Sequence, residues 1–316
     1  MTRAVVFAYH DVGVRCLRVL LGQGVEVPLV VTHEDVVGEP IWFASVAQHA
    51  RWHRLEVATP EDPNAPDFVA RVRAARPDLI FSFYYRHMLG APLLSVAPGG
   101  AFNMHGSLLP KYRGRVPTNW AVLKGESATG ATLHAMTVKP DAGGIVDAEA
   151  VPILPDDTAG EVFRKVCVAA EVTLQRALPA LRAGTAVLKP QNLAAGSYFG
   201  RRTAADGGID WRLGVTAVHN LVRAVAPPYP GAYSRAAGFP LRVLRTLPAA
   251  PPTQAAPLEL RLGRPELRWV DGEVVALCHD GALRLLEFEL GEAGAVPIRD
   301  AVAFRERFGT RGLALQ

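Results

Sequence analysis

The sequence predicts an α/β domain built on a parallel sheet, followed by a smaller all-β domain closing as a barrel. Three observations carry this. Short β-branched runs alternate with helical patterns through the first half. Beyond residue 204 the texture changes to short strands separated by Gly and Pro. The length, 316 residues, is about twice a ~150-residue domain. The domains read as 1–184, a linker over 185–203, and 204–316.

Residues 4–9 are apolar and β-prone, and Val14, Leu17, Leu20 and Leu21 then recur at helical spacing up to Gly22 and Gly24. Residues 25–32 repeat the strand signal, 41–52 read as a helix, 68–75 as another after Pro66, and 79–85 as a fully buried strand. Such alternation implies crossover helices on a parallel sheet, whose ligands bind beyond the carboxyl ends of the strands. A long helix over 158–182, with Asp156, Asp157 and Thr158 as capping candidates and Gly184 as terminator, closes the first domain. In the second, 215–225 read as a helix, Pro251-Pro252 as a loop, and 270–273 and 279–282 as hairpin turns of an open, five-stranded barrel. No internal repeat is present.

Composition excludes several classes. Hydrophobic residues make up 49% and charged residues 20%, the balance of a globular chain and not of a disordered one. No apolar run approaches the ~18 residues of a membrane span, and the N-terminal apolar stretch ends too early, at His10-Asp11, for a secretory signal. A cytoplasmic location without stable membrane insertion is expected. The net charge is +4, and 29 of the 34 basic residues are Arg; spread along the chain, this predicts no nucleic-acid partner. Cys16, Cys167 and Cys278 have neither disulfide nor zinc spacing and read as small core residues. His10, His33, His49, His53, His134, His219 and His279 show no metal-ligand spacing, so no metal is expected. The segment after the first strand lacks both G-x-G-x-x-G and the P-loop pattern, which disfavours a dinucleotide or P-loop enzyme.

The densest polar cluster runs from residue 100 to 117. If 101–105 is a strand, Asn103 and His105 share one face while Phe102 and Met104 share the other. Imidazole moves protons near pH 7, and an Asn amide donates to an oxygen gaining charge, so the pair suits attack on a carbonyl. Downstream, Asp141 lies in a Gly-rich turn between two strand candidates; beside His105 it would fix the imidazole tautomer and favour its protonated form. On spacing alone an Asn-x-His is more often a loop pair, and Asp141 more often a turn former. Ser107 lacks the G-x-S-x-G elbow of a nucleophile and reads as a turn residue or a ligand hydrogen bond.

The stretch FNMHGSLLPKYRGRVPTNW (102–120), with DAGGIV at 141–146, resembles the folate-dependent formyltransferases, a family that includes methionyl-tRNA formyltransferase and the sugar N-formyltransferases. The resemblance implies a Rossmann-like parallel-sheet formyltransferase domain, a C-terminal OB-like β-barrel, and 10-formyltetrahydrofolate as co-substrate. Within the family, THEDVVGEP (32–40), IFSFYYRHML (80–89), YFGRRT (198–203) and HNLVRAVAPPYPGAYS (219–234) are most similar to the formyltransferase domain of the bifunctional polymyxin-resistance proteins. That closeness implies formylation of UDP-4-amino-4-deoxy-L-arabinose, a step toward lipid A modification. The bifunctional proteins continue into a dehydrogenase/decarboxylase domain; this sequence ends at Gln316, and any such oxidative activity is expected to reside elsewhere.

The implied roles fall on particular residues. Asn103 and a protonated His105 would stabilise the tetrahedral oxyanion, with His105 as acid/base and Asp141 as its orienter or proton acceptor. Backbone groups of Arg86, His87 and Met88 resemble the pterin-binding segment. Arg113, Arg115, Arg201 and Arg202 are candidates for the sugar nucleotide's diphosphate, because guanidinium forks match phosphate oxygens, and Tyr229 for its nucleobase. The tRNA enzymes carry a Lys/Arg-rich insertion after the second strand; here Glu34, Asp35 and Glu39 stand there, with no Lys or Arg before Arg51. This favours a nucleotide-linked amino sugar over tRNA as acceptor. Another UDP- or dTDP-linked amino sugar, methionyl-tRNA, and a non-catalytic binding module are the alternatives. The oligomeric state is left open.

Overall fold

The computed structural model describes residues 1–35, 38, 40–249, 265–278, 280–292 and 296–316. The chain divides into two compact units, each drawing on three segments. One comprises Met1–Pro117, Ala128–Pro152 and Phe163–Arg201; the other comprises Thr118–Ser127, Ile153–Val162 and Arg202–Gln316.

The elements follow from local chemistry. Strand β1 (Arg3–Ala8) buries its apolar residues completely from Ala4 onward. Helix α1 (His10–Gly22) buries Val12, Val14, Leu17 and Leu20 on one face, and β2 (Glu26–Val31) follows. Helix α2 (Val46–Trp52) is shorter than the 41–52 expected. Ser45 is its N-cap, with Oγ accepting the Gln48 N–H at 3.2 Å, so 41–45 remain outside the helix. After β3 (Val57–Ala58), α3 (Pro66–Ala74) starts on a proline, whose missing N–H costs nothing in a first turn. Strand β4 (Leu79–Phe83) is buried throughout, and Tyr84, at φ +59°, breaks the extended chain after it. Then come α4 (Ala91–Leu94), β5 (Ala101–His105), β6 (Arg113–Gly114), α5 (Pro117–Leu123), β7 (Ala128–Ala135) and β8 (Ile145–Pro152). A capping box opens α6 (Ala159–Ala183): the Thr158 N–H donates to Glu161 Oε2 at 2.7 Å and the Glu161 N–H donates back to Thr158 Oγ1 at 3.2 Å.

The first unit holds one seven-stranded sheet in the order β3-β2-β1-β4-β5-β7-β8. The first five strands run parallel, and β7 and β8 add an antiparallel edge. Strand order reverses between β1 and β4, which makes the ends of those strands the switch-point crevice where α/β sheets bind ligands. Residues 185–201 are fastened to this unit: Lys189 bridges Ile145, and β9 (Tyr198–Phe199) pairs with β6.

The second unit contains α7 (Val215–Val225), as expected, and strands β10 (Ala232–Ala236), β11 (Phe239–Ala249), β12 (Glu266–Val270), β13 (Glu273–Cys278) and β14 (Gly281–Leu290). Helix α8 (Ala301–Phe308) and β15 (Leu313–Ala314) end it. The antiparallel order is β10-β11-β14-β13-β12-β15, and a bridge between Ala236 and Leu315 joins the two edges into a nearly closed barrel around Val222, Leu241, Phe288 and Phe304. Six described strands replace the five expected, because the two residues of β15 are too short for a periodic signal. Asp271 and Gly272, both at positive φ, form the two-residue hairpin expected after Val270. At the other expected turn Cys278 pairs with Gly281; His279 lies outside the described residues, as does Pro251-Pro252. Cys16 and Cys167 are buried, and burial pushes the Cys167 thiol up to about 12. Among the described residues no helix is long and apolar enough to cross a membrane.

Candidate active site

The polar cluster forms at the carboxyl end of β5. Asn103 and His105 project from one face, and the antiparallel register sets His134 of β7 directly opposite Asn103 and Thr132 opposite His105. Nδ2 of Asn103 lies 3.1 Å from Nε2 of His134, whose Nδ1 is 2.9 Å from the Ala135 carbonyl. A carbonyl only accepts, so Nδ1 carries the proton, and in the neutral ring Nε2 accepts from the Asn103 amide. By the same reasoning His105 Nε2–H donates to the Tyr112 carbonyl at 2.8 Å, leaving Nδ1 to face Asp141 Oδ1 at 3.5 Å.

Asp141 reaches the two imidazoles from the turn between β7 and β8. Its Oδ1 is also 3.5 Å from His134 Nε2, while Oδ2 accepts the Gly114 N–H at 2.9 Å. The turn needs Gly143, where a Cβ would sit 1.8 Å from the Ala135 carbonyl oxygen. Gly114 is equally constrained: its φ is +97° and a Cβ would meet the Phe199 carbonyl at 2.2 Å. From the 185–203 segment, Gln191 Nε2 donates to the carbonyls of Asp141 and Gly143 at 3.1 and 2.6 Å.

The electrostatics separate the two titrating groups. Complete burial pushes His105 below the ordinary imidazole value, against the opposing pull of Asp141 and the Tyr112 carbonyl. Burial alone would raise the Asp141 carboxyl, but His105 and His134 in their protonated forms, together with the Gly114 N–H, outweigh it and hold it at about 2. The resting pair is thus a carboxylate beside a neutral imidazole. Burial of the ring thus works against the protonated His105 expected from sequence, and Asp141 and the Tyr112 carbonyl work for it. Proton acceptance at Nδ1 would place the new charge against Asp141, the arrangement of a general base with a fixed counter-ion.

The loop after β5 is held by its own side chains. Ser107 Oγ donates to the Lys111 carbonyl at 2.7 Å and is fully buried, as befits a turn residue. Thr132 Oγ1 donates to the Ser107 carbonyl at 2.6 Å and accepts the Leu109 N–H at 3.2 Å. Arg113 donates through Nη2 to the Leu193 carbonyl at 3.3 Å, while its Nε is buried with no hydrogen-bond partner among the described residues. Arg115 and Arg201 are exposed. In the second unit Arg202 lies over the Trp120 ring at 5.0 Å and donates to the Asp206 carbonyl, and Tyr229 sits in the turn after α7. Arg86, His87 and Met88 form an exposed turn just beyond β4. The Arg86 N–H donates to His33 Nε2 at 3.0 Å and the Met88 carbonyl accepts from Asn64 at 2.9 Å. Glu34 and Asp35 accept from Thr59 and Tyr9; Glu39 lies outside the described residues. Among the described residues no group of three or more His, Cys, Asp and Glu is placed to hold a metal ion.

A family model described as formyl transferase matches residues 20–178, and a second, formyl transferase C-terminal domain, matches 202–304. The chain belongs to the formyl transferase family. Similar folds occur in an N-formyltransferase from Helicobacter canadensis in complex with folinic acid and dTDP-3-aminofucose (TM-score 0.69, 19% identity, 92% of this chain and 99% of that one). They occur also in WlaRD, a sugar 3N-formyltransferase with dTDP and 5-N-formyl-THF (0.67, 18%, 94% and 99%). HypX from Aquifex aeolicus in complex with tetrahydrofolic acid is a third (0.61, 19%, 96% and 47%), this formyl transferase chain matching about half of its length.

For this formyl transferase the structure assembles Asn103, His105 and Asp141 within one unit and adds residues that the sequence reading did not select. His134, one of the histidines without metal-ligand spacing, is the first of them. The signal available was register: in an antiparallel pair a residue opposite Asn103 shares its face. Gln191, 50 residues beyond Asp141, left no comparable trace.

Proposed function

We propose that this formyl transferase moves the formyl group of 10-formyltetrahydrofolate onto the amino group of a nucleotide-linked amino sugar, with UDP-4-amino-4-deoxy-L-arabinose as the acceptor. The observation that carries the transfer is the Asn103, His105 and Asp141 cluster, in which a neutral buried imidazole faces a carboxylate next to a primary amide. The unprotonated sugar amine attacks the formyl carbon and the carbonyl oxygen becomes negative. An Asn103 N–H donates to that oxygen, and His105 Nδ1 takes the proton that the amine nitrogen sheds. The bond from the formyl carbon to N10 then breaks, N10 leaves with a proton returned from His105, and tetrahydrofolate and the formamide result. One oxyanion donor is worth about 3 kcal/mol and acid–base assistance about two to four powers of ten in rate.

The donor reading rests on the exposed 86–88 turn at the edge of the switch-point crevice, and on the folates named for the similar structures. The acceptor reading rests on sequence: Glu34 and Asp35 follow β2 where a phosphate-gripping insertion would need Lys and Arg, and four segments resemble the formyltransferase domain of the bifunctional polymyxin-resistance proteins. Arg113, with an unpartnered buried Nε, is the strongest of the diphosphate candidates; Arg115, Arg201, Arg202 and Tyr229 complete the proposed acceptor contacts.

Formyl transfer from 10-formyltetrahydrofolate tests this, with UDP-4-amino-4-deoxy-L-arabinose, dTDP-linked 3- and 4-amino sugars and methionyl-tRNA compared at equal concentration. Turnover confined to the UDP sugar and lost in His105→Ala is expected. Preference for a dTDP sugar, the class named in the Helicobacter complex, would overturn the acceptor and keep the chemistry. Silence with every acceptor would overturn both.

A further inference from the structure

We propose that His33 is a positioning residue of the donor site, a rigid backstop that holds the 86–88 turn in its folate-binding shape before the folate arrives. This rests on the reading of 86–88 as the donor segment.

His33 follows β2 and stands beside the turn that leaves β4. Its ring stacks on Tyr85, with centroids 4.2 Å apart and planes at 16°, and meets the edges of Tyr9 and His87 at 5.2 and 4.9 Å. Its Nε2 accepts the Arg86 N–H at 3.0 Å. That bond requires a lone pair on Nε2, hence a neutral ring with its proton on Nδ1. Burial, aided by the neighbouring His87 and Arg86, pushes the ring down to about 4, so the accepting form is the one present at neutral pH. The Arg86 guanidinium lies 4.5 Å over the Tyr9 ring, and the Tyr9 hydroxyl is tied to Asp35 at 2.8 Å.

The far end of the turn is gripped in the same manner. Asn64 Nδ2 donates to the Met88 carbonyl at 2.9 Å and its Oδ1 accepts the Gly90 N–H at 2.6 Å. Two side chains from outside the turn therefore bond its backbone at both ends, while the residues between them are exposed, Met88 by 51%. An exposed three-residue turn after a left-handed Tyr84 would otherwise sample many shapes, and a ligand read by backbone groups would have to select one of them on binding. The stacked, hydrogen-bonded His33 makes that selection during folding.

The experiment compares His33→Phe, which keeps a stacking ring and loses the acceptor, with His33→Gln, which keeps an acceptor and loses the ring. Initial rates, 5-formyltetrahydrofolate binding by calorimetry, and hydrogen exchange over 84–90 with and without that folate are measured. Expected for Phe is a donor KM and Kd raised about tenfold, the loss of one hydrogen bond, with kcat within twofold and the acceptor KM unchanged; Gln restores the donor Kd to within about threefold of wild type. Folate protection of 84–90 in the wild type with undiminished binding by Phe would overturn the role of His33 and leave the donor segment standing. No protection of 84–90 in the wild type would overturn the donor segment, and the proposal with it. A melting curve accompanies each variant, and His33→Leu replaces Phe if the latter does not fold.

Discussion

The Asn103 amide is aimed by His134, whose Nε2 accepts from Nδ2 at 3.1 Å across the β5–β7 pair. With one amide hydrogen committed to the ring, the second has a fixed direction and can serve a developing oxyanion without first turning. Preset donors of this kind are worth more than donors that must reorient, because no reorganisation accompanies the reaction.

Replacing His134 by Phe keeps the ring volume and removes the acceptor. The amide is then free to rotate, and kcat is expected to fall by about tenfold to a hundredfold, with KM for both substrates within about threefold. Steady-state kinetics beside a circular-dichroism melt separates this from unfolding; an unchanged kcat would remove His134 from the catalytic network.

Asp141→Asn abolishes the charge that stabilises protonated His105. A rate loss of about a hundredfold or more is expected. The carboxylate pulls the His105 pKa upward while burial pushes it down, so the variant's ring should protonate at still lower pH, and the acid limb of kcat should move to lower pH. A limb that moves to higher pH would show that Asp141 and His105 do not titrate as a pair.

His105, His33 and His219 are all held below the ordinary imidazole value by burial, His33 at about 4. Below the unfolded value of roughly 6.5 the unfolded chain binds protons that the folded chain refuses, so stability falls as pH drops from there toward 4. Asp141 works in a separate window: held at about 2, it adds stability that is lost only as pH falls from its unfolded value of about 4 toward 2. Urea unfolding at pH 7, 6 and 5 should show a steadily lower midpoint. A flat response would contradict neutral burial of these rings.

Arg113→Met keeps the stem and removes the fork. Loss of charge-assisted bonds to a diphosphate costs about 1.5–3 kcal/mol, which predicts an acceptor KM raised about tenfold or more at unchanged donor KM. A KM unmoved by the change, measured with the same acceptor, would assign Arg113 to the Leu193 carbonyl alone.

The periodic parts of the molecule were legible in the sequence. Strands β1, β2, β4 and β5, helix α7 and the Asp271-Gly272 turn were readable because burial on both faces, a 3.6-residue stripe or a left-handed turn pair each leaves a local mark. The shared face of Asn103 and His105 was legible for the same reason. What was not legible depends on distance along the chain. The start of α2 was set by a serine cap against an apolar spacing that ran further. The neutral state of His105 depends on burial by residues far from it in sequence, as does the acceptor role of His33. The pairing of β6 with β9, 85 residues on from Tyr112 to Ser197, is invisible to any window of sequence.

Gln191 gives the 185–201 segment, expected from sequence as a linker, an unexpected status within the first unit. Because its amide holds the carbonyls of Asp141 and Gly143, and Ser197 holds Tyr112 and Arg113, this stretch acts as a girth strap buckled under the catalytic turn. Extra residues spliced in after Gly184 would leave the buckle fastened. The same insertion between Gln191 and Ser197 would slacken it, and the chemistry would weaken through a place in the chain that carries no reacting group at all.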